Sequence, residues 1–206
     1  MKQELITFND AYLLVWEMTE SIDKLKMELQ LSDIESIEFN KLVSEKRKLE
    51  YLGVRVAFKV LFGKKVVIQY DGDGKPFLTD NSFQLSVSHS KNLIAVIAHS
   101  TRQVGIDIEC PTDKIQKLYK RFLSKTEQKE LSDGKNINQL LLAWSAKETL
   151  FKIIGKEAVD FANQLRIFPF DVKSNGEIVA EHYPTKELYQ LNYIQNSVYT
   201  LVFCLA

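Results

Sequence analysis

Val104-Gly105-Ile106-Asp107-Ile108-Glu109 has the alternation of a short strand, with Asp107 and Glu109 on one face and Ile106 and Ile108 on the other. Two carboxylates then project the same way and repel each other. A hard divalent cation such as Mg²⁺, which binds through one or two carboxylates plus phosphate oxygens, would relieve that repulsion. The hexapeptide alone is equally compatible with a half-buried edge strand whose acids are solvated.

A second informative stretch follows some forty residues on, in Trp144-Ser145-Ala146-Lys147-Glu148-Thr149-Leu150-Phe151-Lys152, within a helix expected from Ile137 to Ile154. Glu148 and Lys152 stand four residues apart and share one helix face, so a third carboxylate lies beside a cation suited to a phosphate. An ordinary helix-stabilising ion pair explains the same spacing, but it leaves Trp144 unexplained.

Outward from these segments, the patterns alternate between helix and strand. Strands are expected around Tyr12–Trp16, Val66–Tyr70, Gln84–Ser88 and Leu93–His99, with turn signals at Asp71-Gly72-Asp73-Gly74. One helix starts at the capping box Ser32-x-x-Glu35. A long basic helix runs from about Ser44 to Phe62 and ends at Gly63, with Leu42, Leu49, Leu52, Val56 and Val60 as its buried stripe. After Pro111 a helix is expected over Ser124–Leu131. The last fifty residues read as antiparallel strands such as Glu177–Tyr183 and Val198–Leu205, separated by turns at Asn175-Gly176 and Asn196-Ser197. With a boundary near Ser100–Gln103, each half mixes helices with a small sheet, which is an α+β organisation.

Composition sets the outer bounds. The chain has 206 residues, 45% hydrophobic and 11% aromatic, enough for one large domain or two small halves with real cores. No apolar run exceeds that of Leu93–Ala98, far short of the ~20 residues a membrane span needs, and Glu4 spoils a secretory leader, so a cytoplasmic protein is expected. Cys110 and Cys204 lack metal-ligand spacing and suit a reducing compartment. The net charge of +0 hides a polarity: residues 1–40 hold 9 acids and 3 bases, residues 41–65 hold 8 bases and 2 acids. The basic stretch is either a solvated helix face or a seat for something anionic, but a nucleic-acid partner is not expected without a basic domain and interleaved aromatics. Asp71-x-Asp73 fails as an EF-hand because Pro76 and Ser82 stand where glycine and glutamate are needed. No nucleophile elbow, Walker loop or dinucleotide fingerprint occurs.

The order Val-Gly-Ile-Asp-Ile-Glu, then Phe-Leu-Ser-Lys-Thr-Glu at 122–127, then Trp-Ser-x-Lys-Glu-x-x-x-Lys resembles the 4'-phosphopantetheinyl transferase superfamily. The likeness is closer to its long, monomeric branch, typified by activators of surfactin and enterobactin synthetases. Upstream, Gly74-Lys75-Pro76, Ser86-Val87-Ser88-His89-Ser90 and the helix Arg47-Lys48-x-Glu50-x-Leu52-x-x-Arg55-x-Ala57 agree with it. Thr149 departs from the usual alanine or serine after Lys-Glu, and the first forty residues match no motif of the family.

The resemblance implies two similar α/β subdomains, 1–101 and 102–206, related by a pseudo-twofold axis with the active site at their interface. It further implies transfer of the phosphopantetheine arm of coenzyme A to a serine of an apo acyl or peptidyl carrier protein, with release of 3',5'-ADP. Asp107, Glu109 and Glu148 would hold Mg²⁺ against the diphosphate. Glu148 would serve as base, although an ordinary pKa near ~4.3 makes it a weak one. Lys152 would pair with the phosphate, with Lys147 flanking it. Arg55, Lys75 and His89, with Ser88 and Arg47, would grip the nucleotide end of coenzyme A. Glu127 is the acid of a capping box begun by Ser124 as well as a family acid; the cap is the favoured role. The competing readings are another Mg²⁺-dependent phosphoryl transferase, and a carrier-protein or coenzyme A binding module without catalysis.

Overall fold

The computed structural model describes residues 2–131, 134–155 and 159–206. The chain divides into two compact units, Met1–Thr101 and Arg102–Ala206.

In the first unit, β1 (Lys2–Phe8), β2 (Ala11–Glu17), β3 (Ile68–Tyr70), β4 (Pro76–Leu78), β5 (Gln84–Ser90) and β6 (Leu93–His99) form an antiparallel sheet in the order β1-β2-β6-β5-β4-β3. Three helices accompany it: α1 (Ile22–Leu29), α2 (Asp33–Lys41) and α3 (Glu45–Phe62). Leu14 and Trp16 of β2, Ile94, Val96 and Ala98 of β6, and Leu52, Val56 and Phe58 of α3 make its core, closed by Leu25, Leu29 and Phe39 from the two shorter helices. Gly53 lets α3 lie this close to the sheet, since a Cβ there would collide with Ile94 and Met18.

The second unit has the same ingredients. β7 (Val104–Glu109), β8 (Leu165–Ile167), β9 (Asn175–His182), β10 (Glu187–Gln195) and β11 (Thr200–Leu205) form an antiparallel sheet in the order β7-β11-β10-β9-β8, with α4 (Ile115–Phe122), α5 (Lys125–Glu130) and α6 (Ile137–Ile154) beside it. Here the close approach is made by a glycine on the strand. A Cβ at Gly105 would meet the Thr149 carbonyl and Ile153 of α6, so β7 and α6 are pressed together at the two segments that carry the acids. The long helices match: α3 and α6 are 18 residues each, capped by Ser44 and Asn136 at their starts and by left-handed Gly63 (φ 65°) and Gly155 (φ 60°) at their ends.

The whole chain is thus α+β, with two antiparallel sheets and six helices among the described residues. Three expectations about elements change. Asn175-Gly176 is no turn: both residues start β9 and pair with Ile194 and Tyr193, and the hairpin between β9 and β10 is made at Tyr183–Lys186, where Lys186 takes a left-handed φ of 63°. Leu42 caps the end of α2 and lies outside α3. The buried face of α3 is also wider than the expected stripe, because it takes in Glu50, Gly53, Val54 and Arg55 as well as Leu52 and Val56.

Candidate active site

The site in the second unit is assembled by two periodicities. On β7, Asp107 and Glu109 are two residues apart and pair with Val202 and Thr200 of β11. On α6, Trp144, Glu148 and Lys152 are spaced by four and share a face. Helix and strand are joined by side-chain contacts at two points of that face. Lys152 Nζ donates to Asp107 Oδ1 at 2.9 Å and to the Ile106 carbonyl at 2.7 Å, and two turns earlier Trp144 Nε1 donates to Glu109 Oε1 at 3.3 Å. Glu148 lies between these two contacts in sequence and feels both acids.

That position perturbs Glu148. Burial pushes its carboxyl up to about 7, the Asp107 charge adds to the rise, Lys152 opposes it and Glu109 contributes a smaller increase. The ordinary carboxylate expected from sequence is therefore replaced by a group that exchanges its proton near neutral pH, where general acid–base catalysis is most effective. Asp107 is only 5% exposed.

Among the described residues, no three His, Cys, Asp or Glu side chains converge closely enough to form a ready metal cage. In the metal-free chain the Lys152 ammonium supplies the compensating charge at Asp107. The donor set nevertheless suits Mg²⁺, which needs only one or two carboxylates because phosphate and water oxygens complete its shell. The elevated Glu148 carboxyl is the strain that a divalent cation would relieve.

Lys147, expected to flank the phosphate, lies in the core of the second unit. It is 0% exposed and its ammonium is enclosed by Glu127 at 2.7 Å and by the carbonyls of Phe122, Phe161 and Leu165. Burial lowers its pKa, and Glu127 opposes the fall. One residue along a helix is a turn of about 100°, so Lys147 and Glu148 cannot face the same way. Glu127 has the role favoured from sequence: it closes the capping box with Ser124 and also accepts from the Ile167 N–H at 2.8 Å.

The upstream cations divide in a similar way. Arg55, expected at the nucleotide, is 2% exposed. Its guanidinium stacks on Tyr51 at 3.4 Å, approaches Glu35 and Glu38 at 3.5 Å and donates to the carbonyls of Tyr51 and Ile68. Lys65 reaches Glu35 at 2.9 Å, Lys59 donates to the Glu28 carbonyl, and Lys26 and Lys48 sit over the Phe39 ring. The acidic amino-terminal segment thus supplies ion-pair partners to two of the bases that follow it, Arg55 and Lys65. Burial raises the Glu35 carboxyl, but its bonds to Ser32 and Lys65 outweigh that and hold it below 4.5.

Arg47 and His89 instead line a cavity of about 320 Å³ with Glu50, Tyr51, Tyr70, Gly74 and Pro76. Glu50 joins them, 3.1 Å from Arg47 and 3.3 Å from His89. Lys75, between Gly74 and Pro76, is half-buried and its backbone N–H donates to Asp71. Alternation along β5 puts Ser88, buried, on the face opposite His89 and Val87. Glu50 entered the sequence reading only as a letter of the Arg47–Ala57 pattern, and Tyr51 and Tyr70 were not singled out. An aromatic beside Glu50 on a helix and another at the end of a strand are indistinguishable there from ordinary core and surface.

A helix pressed on a strand thus brings Glu148, coupled to Asp107 and Glu109, next to a lysine one turn on along the same face of an α+β protein. Residues 103–204 match the family model of the 4'-phosphopantetheinyl transferase superfamily. That match covers the second unit almost from end to end. The chain is similar to the 4'-phosphopantetheinyl transferase HetI of Nostoc sp. (strain PCC 7120), 32% identical over 114 residues that cover 51% of this chain and 45% of that protein. It is also similar to the L-aminoadipate-semialdehyde dehydrogenase-phosphopantetheinyl transferase of Xenopus laevis, 28% identical over 108 residues covering 44% of this chain and 36% of that one. The matches span less than half the length of either relative. Among the described residues no helix is long and apolar enough to cross a membrane.

Proposed function

We propose that this chain is a 4'-phosphopantetheinyl transferase that moves the phosphopantetheine arm of coenzyme A to a serine of an apo acyl or peptidyl carrier protein. It acts as a cytoplasmic monomer with no nucleic-acid partner. The observation that carries the reading is the coupling of Glu148 to Asp107 and Glu109, with Lys152 one turn away on the same helix face.

Asp107, Glu109 and Glu148 would hold Mg²⁺, which when bound stabilises negative charge on the diphosphate. The serine hydroxyl attacks the phosphorus that carries the pantetheine arm. Its bond to the bridging oxygen breaks, and 3',5'-ADP leaves with that oxygen. Glu148 accepts the serine proton as general base. Lys152 exchanges Asp107 for the diphosphate, to which it supplies a positive charge. In the first unit, Arg47, Lys75 and His89 serve the nucleotide end of coenzyme A, with Tyr51 and Tyr70 lining the cavity beside Arg47 and His89. Arg55 and Lys147 take no part in contacting substrate.

The test is incubation with apo carrier protein, coenzyme A and Mg²⁺, with the carrier weighed as an intact protein. A gain of one phosphopantetheine arm is expected. Glu148→Gln is expected to abolish the gain and keep the fold, and normal turnover by that variant would remove the role assigned to Glu148.

A further inference from the structure

Trp144 is the one member of the α6 face that the proposed chemistry leaves without a task. Its ring is held from two sides, edge-on to Phe122 with centroids 5.2 Å apart at 68° and tilted against Phe161 at 5.7 Å. Packing alone asks only for an apolar ring, and a phenylalanine would supply one. The indole adds a single group, an N–H that donates and never accepts, and it is spent on Glu109 Oε1.

Glu109 has reason to need such a tether. It is the last residue of β7, half-buried, with a long side chain that lies beside the charges of Asp107 and Glu148. Repulsion drives a carboxylate so placed towards solvent, and each free rotamer must be frozen when it binds a cation. Asp107 is shorter and is already held by Lys152. Glu109 is fixed by a donor whose own direction is set by two aromatic neighbours.

We infer that Trp144 is a positioning residue: its indole N–H holds the Glu109 carboxylate in the orientation that receives the divalent cation. The inference rests on the metal role given to Glu109 in the proposed function. Groups that orient a metal ligand from behind commonly contribute about 10–100-fold to metal affinity, and Trp144→Phe removes the N–H while keeping a ring against Phe122 and Phe161.

The experiment is titration of the 206-residue chain with Mn²⁺ in the absence of coenzyme A, followed by electron paramagnetic resonance of the free ion. Trp144→Phe is expected to weaken Mn²⁺ binding by about 10–100-fold. The loss should vanish when the substitution is made in a Glu109→Gln background and persist in an Asp107→Asn background, because it acts through Glu109 alone. An affinity within about twofold of the parent chain would overturn the inference, as would an equal loss in the Glu109→Gln background, which marks a general packing defect. A parent chain that takes up no Mn²⁺ at all overturns the metal reading itself, and this inference with it.

Discussion

Replacing Glu148 by glutamine in the metal-free chain should change stability in a way that depends on pH. In the folded state burial, Asp107 and Glu109 outweigh Lys152 and lift the Glu148 carboxyl from 4.5 to about 7, whereas in the unfolded chain it returns to its ordinary value. Between those limits the folded protein keeps a proton that the unfolded chain has released. Stability therefore falls as pH rises from about 4.5 to 7, and at 1.36 kcal/mol per tenfold change the full loss is about 3 kcal/mol. Glutamine is neutral throughout and resembles the protonated acid. The variant should match the parent near pH 4, gain on it steadily, and exceed it by up to about 3 kcal/mol at pH 8, less whatever solvent screening removes from a half-buried site. Urea unfolding in the presence of a chelator at half-unit pH steps measures the difference. A difference that stays flat, or that grows towards acid, would refute the account of the site's electrostatics. Saturating Mg²⁺ should favour the parent at pH 8 and not the variant.

Four further outcomes follow from the same structure. Lys152→Met removes the one contribution that lowers the Glu148 pKa, so the decline in stability of the metal-free chain should extend above pH 7 in the same urea series. Glu127→Gln leaves Lys147 charged in the core with only carbonyls around it and should cost about 3–5 kcal/mol by urea midpoint, and pairing it with Lys147→Met should recover part of the loss. Arg55→Ala breaks the Glu35, Glu38 and Tyr51 contacts and should lower the midpoint of the first unit by about 3 kcal/mol, whereas Arg47→Ala should leave the midpoint within about 0.5 kcal/mol and weaken binding of 3',5'-ADP, read by calorimetry. Gly105→Ala drives a methyl into the Thr149 carbonyl and should cost about 1–3 kcal/mol while separating the Asp107 strand from the Lys152 helix, visible as weaker Mn²⁺ uptake.

Much of the architecture was legible because local signals agreed with the tertiary ones. Leu93–His99, Val104–Glu109 and Ile137–Ile154 occupy the spans their periodicity predicts, and the capping boxes at Ser32 and Ser124 start helices where expected. The misses have physical reasons. β1 alternates weakly, with exposed Leu5 set among polar neighbours, and acquires its register from β2, not from its own sequence. Asn175-Gly176 looks like a hairpin turn, but Gly176 is there because a Cβ would strike the Tyr193 ring. The burial of Arg55 and Lys147 escaped the sequence for one shared cause. A cation near a motif is read as a ligand contact, while its burial depends on acids and carbonyls contributed from positions far along the chain.

Sequence adjacency and spatial adjacency part company most sharply in the Trp144–Lys152 segment. Every fourth residue of α6 shares one face, and from that face Lys152 reaches Asp107 and Trp144 reaches Glu109 on β7. Gly105 lets the two elements lie close enough for side chains to meet directly. The residues between the fours point elsewhere: Ser145, Ala146, Lys147, Thr149 and Leu150 are all buried, and Thr149 donates to the Val202 carbonyl of β11. The helix is consequently anchored by one set of positions and offers chemistry with the other. A substitution at Lys147 should therefore fail through the fold, one at Glu148 should act through the proton, and the neighbouring letters of a single motif should separate cleanly in a stability assay read beside a transfer assay.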